Sequence, residues 1–191
     1  MVKRAFIDAA LFENQQFKAS PLDKGDYEGC TFINCDFSNS DLSDVNFIDC
    51  KFRDCDLSLA NLVNTSFKDV EFTGCKCLGL HFDDCNKMLI SFRFDNCIVD
   101  LAAFNKLNLK KTIFKNSRLI EADFSETDLS NASFINCNLD RAIFIHSNLE
   151  NADFRSSFNF SIDPDLNRIS KAKFSLQGLP GLLNKFNIEI D

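Results

Sequence analysis

Large apolar residues fall at every fifth position along most of this chain. Phe32, Phe37, Leu42, Phe47, Phe52, Leu57, Leu62, Phe67 and Phe72 make one uninterrupted run. The register holds from Ile7 to Phe92, slips by two residues, and resumes from Val99 to Phe154. Of its 30 positions 16 are Phe and 9 are Leu, and only Cys77 and Lys87 break the rule. Two residues before each lies a small side chain, mostly Ala, Cys, Ser or Thr, with Gln15, Leu80, Ile90 and Leu107 as larger exceptions. The residue between is often Asp or Asn, as in Cys35-Asp36-Phe37. A period of five fits neither the helical 3.6 nor the strand period of two. It fits a coil that turns a corner every five residues and points one large and one small side chain inward, filling a narrow interior at native density.

The identities count the sides. After the slip Phe104, Leu109, Phe114, Leu119, Phe124 and Leu129 alternate strictly. Four sides place Phe columns on two opposite faces and Leu columns on the other two. Before the slip, Phe32, Phe52 and Phe72 recur one four-sided coil apart. The expected fold is an all-β solenoid.

This pattern, with its Ala-Asp-Phe-like pentads, resembles the pentapeptide-repeat proteins over about residues 5–158. The resemblance implies a right-handed quadrilateral β-helix, here of about seven to eight coils and roughly 36 Å long at ~4.8 Å per coil. Residues 1–158 form the expected β-helix and 159–191 a C-terminal turn, partial rung and short helix.

The slip around residues 88–98 predicts a small bulge at Arg93, Phe94, Asp95 and Asn96, or else a Phe94 packed inward. Lys87 at a large position demands a local bend, because an unpaired buried ammonium is very costly. Past Phe158, Lys173-Phe174-Ser175 reads as a last partial rung. Leu179 to Phe186 reads as a short helix with Pro180 in its first turn, its stripe being Leu179, Leu182, Leu183 and Phe186. Ile188 and Ile190 alternate with Asn187 and Glu189 as in a terminal strand. The stripe either caps its own coil or joins a second chain into a homodimer.

Candidate chemistry dissolves on the coil. Eight of the nine cysteines occupy small inward positions, Cys77 takes a large one, and Cys35, Cys55 and Cys75 stack one above another. Parallel stacked thiols do not converge tetrahedrally on zinc, so packing is the expected role and no metal or cofactor is expected. His81 and His146 sit beside Phe82 and Ser147, at an outward and an inward-small position, without a nucleophile in recognisable order. The glycines are dispersed and form no phosphate loop. No enzyme is expected. An odd number of cysteines without a secretion signal favours reduced thiols in a cytoplasm, and no apolar run is long enough to span a membrane.

Charge is the informative surface property of a chain with net charge −7. Residues 26–84 hold 12 acids against Lys51, Arg53, Lys68 and Lys76, and residues 121–153 hold 7 against Arg141. Between them Lys106, Lys110, Lys111, Lys115 and Arg118 form a basic belt. The first block carries about one net negative charge per 1.8 Å of axis, close to the ~1.7 Å of duplex DNA. Asp36, Asp41, Asp44, Asp54 and Asp56 are its candidate partner-binding acids, with Asp36 and Asp56 one coil apart.

Ile162-Asp163-Pro164-Asp165-Leu166-Asn167-Arg168-Ile169, followed by Lys173-Phe174-Ser175 and Gly181-Leu182-Leu183, is similar to the C-terminus of Qnr-type quinolone-resistance proteins. That resemblance implies a bacterial DNA mimic, end-to-end dimers through the C-terminal helix, and binding to DNA gyrase or topoisomerase IV rather than to nucleic acid or membrane. The chain departs from those proteins in lacking a long excursion from the coil. A general interaction scaffold without topoisomerase contact is the competing expectation.

Overall fold

The computed structural model describes residues 4–189. Its strands are β1 (Ala5–Asp8), β2 (Leu11–Glu13), β3 (Gly25–Glu28), β4 (Thr31–Ile33) and β5 (Asn46–Ile48), then β6 (Lys51–Arg53), β7 (Ser66–Thr73), β8 (Ile90–Asp95), β9 (Ile113–Lys115) and β10 (Ser133–Ile135). All their ladders are parallel, and Phe32 pairs with Phe12 on one side and Phe52 on the other. The other two faces are stitched by single bridges such as Asp36 to Asp56 and Asp41 to Asn61. The molecule is a four-sided, right-handed β-solenoid. Strands mark about six turns, slightly fewer than expected. Toward the C-terminus the rungs shorten to bridges, Ser133 to Asp153 to Lys173, while the coil continues.

Corners explain why five residues suffice per side. Asn34, Asn39, Asp44, Asp49, Asp54, Leu59 and Asn64 all have φ between 51° and 58°, each just before a small inward residue. This left-handed region favours Gly, Asn and Asp, whose short side chains hydrogen-bond locally. The Asp and Asn richness of the chain is therefore partly a backbone demand.

Inside, the columns run as the alternation requires. Phe12, Phe32, Phe52, Phe72, Phe94, Phe114, Phe134, Phe154 and Phe174 stack with centroids 4.7–5.4 Å apart. Phe82, Phe104, Phe124 and Phe144 stack opposite them at 4.9–5.2 Å. Across the interior the two columns meet edge to face, as at Phe114 and Phe124 (5.7 Å, 81°), the arrangement the ring quadrupole prefers.

The small inward position does more than save space. Cys55 Sγ, Thr65 Oγ1, Thr127 Oγ1, Ser147 Oγ and Ser157 Oγ each donate to a backbone carbonyl one coil below, at 2.6–3.4 Å. Cysteine, serine and threonine are interchangeable there because each is a small donor.

The two-residue insertion does not lie at Arg93, Phe94, Asp95 and Asn96. Arg93, Phe94 and Asp95 belong to β8, and Asn96 is the ordinary corner after it. Phe94 is buried, stacked 5.0 Å from Phe72 and 5.4 Å from Phe114. The extra residues are taken up just upstream, where the register of β7 on β8 shifts between Phe67 and Val70 and a 3-10 turn covers Lys87–Leu89. Lys87 escapes to solvent there, and Met88 beside it is 91% exposed.

The C-terminal segment is the short helix expected, but of 3-10 type. It forms two 3-10 turns, Leu176–Leu182 and Asn184–Phe186, the first capped by Ser175 Oγ accepting from the Gly178 amide. Gly178, Pro180 and Gly181 deny it α-helical continuity. Residues 187–189 form no strand, Asn187 being left-handed (φ 49°), and Ile190 lies outside the described residues. Leu182 turns inward against the core, Leu183 is half-buried, and Leu179 and Phe186 face outward. The expected single stripe is thus split.

Candidate functional site

The five candidate acids are placed by the turns that the coil needs. Asp36, Asp41 and Asp56 each precede a large inward residue and accept the amide of the residue two further on, Ser38 (2.8 Å), Ser43 (3.0 Å) and Ser58 (3.0 Å). Asp44 and Asp54 occupy left-handed corners. Asp36 and Asp56 share one face, bridged in register, with Asp54 on the corner beside them. Asp41 and Asp44 lie around the next corner. The acids wrap the rod rather than line a single groove.

Asparagine does both jobs equally well in this chain: Asn61 accepts the Val63 amide, and Asn34 and Asn64 hold corners. Geometry accepts Asn at either place, and corners are held also by Leu59, Leu101 and Lys106; it does not ask for negative charge. Asp36 is nonetheless held below the usual carboxylate range by its Ser38 hydrogen bonds. Partial burial pushes Asp41 up, but Lys24 and Ser43 outweigh it and bring the carboxyl down to about 2.

Ion pairing divides the two acidic blocks. In 121–153, Glu121, Glu126, Asp128, Asp140, Glu150 and Asp153 all meet a Lys or Arg within 2.7–3.7 Å. The basic belt supplies Lys106 and Lys110 to this block, while Lys115 and Arg118 turn back to Asp95 and Asp100. In 26–84, Asp26, Asp41, Asp56, Glu71 and Asp83 have partners. Glu28, Asp36, Asp44, Asp49, Asp54, Asp69 and Asp84 have no such contact among the described residues. Negative charge is therefore concentrated on the N-terminal half. Asp49 and Asp69, stacked on one corner, belong to that set and were not singled out by sequence; their spacing of one coil was the available signal.

Nothing in the interior competes as a reactive centre. All nine cysteines are buried free thiols, and burial pushes Cys50 up to about 12 and Cys137 to about 11. Such thiols stay protonated and unreactive. Among the described residues no cluster of His, Cys, Asp and Glu is arranged to hold a metal. His81 is exposed beside Asp83. His146 is not at an inward position: it is an exposed corner residue (φ 56°), and Ser147 after it is the buried one.

The family model for the pentapeptide repeat region matches residues 25–93 and 87–158. The chain belongs to the pentapeptide-repeat family. A trypsin-treated form of QnrB1, a plasmid-mediated fluoroquinolone resistance protein, is similar to this pentapeptide-repeat protein with TM-score 0.62 and 20% identity, over 95% of this chain and 99% of that one. HetL, a pentapeptide-repeat protein involved in heterocyst differentiation regulation from Nostoc sp. strain PCC 7120, is similar with TM-score 0.51 and 16% identity, over 93% of this chain and 91% of that one. At these identities the likeness is one of fold. No curated protein matches in sequence. Among the described residues no helix is long and apolar enough to cross a membrane.

At its C-terminal end this pentapeptide-repeat protein binds its last segment to itself. The Ile162 amide donates to the Gly181 carbonyl at 2.9 Å, and Lys185 bridges Asp163 at 2.7 Å and also Asp165. Gly178 and Gly181 lie so close to Phe160 that a Cβ on either would come within 2.8 Å of its ring. Leu176, Leu179, Phe186 and Ile188 remain 42–81% exposed on the outer side.

Proposed function

We propose that this protein is a non-enzymatic bacterial DNA mimic that binds a type II topoisomerase, DNA gyrase or topoisomerase IV, in the cytoplasm and modulates its fluoroquinolone sensitivity. The observation that carries this reading is the surplus of unpaired carboxylates on the N-terminal half, at turns that asparagine would serve as well. A rod with negative charge spaced like duplex phosphates competes for a basic DNA-binding groove, and the competition weakens with salt. Asp36, Asp44 and Asp54, with Asp49 and Asp69, are the unpaired acids assigned to that contact, and the ion-paired Asp41 and Asp56 flank them. QnrB1, which shares the fold, is a fluoroquinolone resistance protein, and this supports the choice of partner.

The exposed Leu176, Leu179, Phe186 and Ile188 are assigned to an end-to-end homodimer, which buries them about a two-fold axis. Leu179 and Phe186 keep that role from the expected stripe, Leu183 flanks them, and Leu182 supports from inside. Sedimentation tests it: a monomeric protein at micromolar concentration removes the dimer from the account.

A general interaction scaffold is favoured by a different observation. Leu59, Val63, Leu78 and Leu101 are 37–58% exposed in mid-rod, apolar surface that a DNA mimic does not use. A gyrase supercoiling assay with and without ciprofloxacin separates the two. The mimic alters supercoiling or drug-induced cleavage at molar excess; a scaffold changes neither and does not bind gyrase at low salt.

A further inference from the structure

The two ends of the solenoid are finished differently. At the C-terminal end the 3-10 segment crosses the last coil, hydrogen-bonded through Ile162 and Gly181 and packed on Phe160. At the N-terminal end β1 and β2 are the two termini of the strand order, each paired on one side only among the described residues, with β3 and β4. Their other edges offer backbone donors and acceptors, and the core beneath them is open: Ile7, Ala10 and Phe12 are only partly buried. An unpaired strand edge is a template for another extended chain.

The outward columns carry the same message. One column reads Phe6, Asp26, Asn46, Ser66, and another reads Leu11, Thr31, Lys51, Glu71. Of the four coils before the insertion only the first places a large apolar residue in either, and there Phe6 is 67% and Leu11 59% exposed; in the second column one recurs only beyond the insertion, at Ile113. Later coils show that polar residues suit these positions, so the fold does not require the apolar ones.

Charge selects the occupant. The first coil exposes Asp8, Glu13 and Asp23 without an ion pair among the described residues, against Lys18. Arg4 is engaged by Asp26, and Lys24 by Asp41. Two copies meeting head to head would set these acids against themselves, which disfavours a second copy. We propose that the open N-terminal end binds an extended, basic segment of another polypeptide, added to β1 and β2 as a further rung with its large apolar side chains over Ile7 and Phe12 and its outward residues against Phe6 and Leu11. Strand addition supplies affinity through the backbone and specificity through alternate side chains.

A peptide of repeated Ala-Lys-Phe-Lys-Asn pentads is the probe, and amide exchange in β1 and β2 is the readout. The peptide is expected to protect both strands, and an Ala-Glu-Phe-Glu-Asn peptide is expected to leave them unprotected. Phe6→Asn with Leu11→Thr, which borrow the residue types of later coils and leave the core intact, should weaken binding at least ~10-fold. Failure of the lysine peptide to protect β1 and β2, or equal protection by the glutamate peptide, overturns the proposal. Protection that rises with protein concentration in the absence of peptide also overturns it, because the occupant is then a second copy.

Discussion

The coils before the insertion and those after it solve one packing problem twice. Before it cysteine is the commonest residue at the small positions, 6 of 18, and the large columns are mixed: Phe37 is followed by Leu57 and Cys77, and Leu42 and Leu62 by Phe82. After it alanine is the commonest residue there, 5 of 12, and Phe and Leu alternate without exception from Phe104 to Phe154. Both interiors are equally dry, Phe52 and Phe134 each being 0% exposed. The surfaces differ in the opposite sense: six of the seven acids of the later block are tied to Lys or Arg, Asp123 bonding to Asn105 instead, while seven of the twelve earlier ones have no such contact among the described residues. Interior composition drifts while volume is kept; the unpaired charge is what sets the N-terminal half apart.

The largest effect that sharpens this comparison is a matched pair of cavities. Phe52→Ala and Phe134→Ala should each destabilise by about 3–5 kcal/mol, since each ring is removed from between two stacked neighbours. Denaturant unfolding of both variants checks it. A loss below about 1 kcal/mol for either would mean that its column is not a packed core.

Next comes the donor at the small position. Thr127 is fully buried and its hydroxyl donates to the Phe104 carbonyl at 2.7 Å. Thr127→Val keeps the volume and should cost about 0.5–1.5 kcal/mol by removing that bond, since the Phe104 carbonyl keeps only its longer contact with the Leu107 amide at 3.3 Å. Thr127→Ser should recover most of the loss, and a Val variant as stable as wild type would reduce the small position to a question of size.

The smallest effect is in acid. Asp41 is depressed from 3.8 to about 2 in the folded protein by Lys24 and Ser43, against the opposing pull of burial. A carboxyl with a lowered folded-state pKa stabilises fully above its unfolded value and loses that contribution as pH falls through the folded one. Its contribution should therefore fade between about pH 4 and pH 2. Lys24→Met should shrink that window, giving a stability profile less steep in acid than wild type. The change is small because the pair is about half exposed.

Much of this molecule is legible from the period alone. Five-residue spacing gives the corners, and the recurrence of Phe32, Phe52 and Phe72 gives the number of sides. Placing the insertion needed the strand pairing. Phe92 continues the earlier register and Phe94 starts the later one, so both look like inward residues; the structure buries both, and the ladder from Phe72 to Phe94 decides between them. The C-terminal stripe obeyed the helical period, but Gly178, Pro180 and Gly181 between its members carry more weight than the spacing. The acids were found by density, while their division into paired and unpaired sets was missed. Opposite charges 18 or 20 residues apart, as in Lys115 with Asp95 and Arg118 with Asp100, were the readable sign. One coil brings those positions together.

The central claim is that the unpaired acids of the N-terminal half, and not acidity in general, engage the topoisomerase. Gyrase binding at low salt, compared between two neutralised variants, tests it most directly. The first replaces Asp36, Asp44, Asp49 and Asp54 by Asn, which keeps the turns and corners; the second replaces Glu121, Glu126 and Glu150 by Gln in the ion-paired block. The account predicts that the first weakens binding at least ~10-fold and flattens its salt dependence, while the second stays within about threefold of wild type. Equal losses in the two variants, or an undiminished first variant, would contradict it.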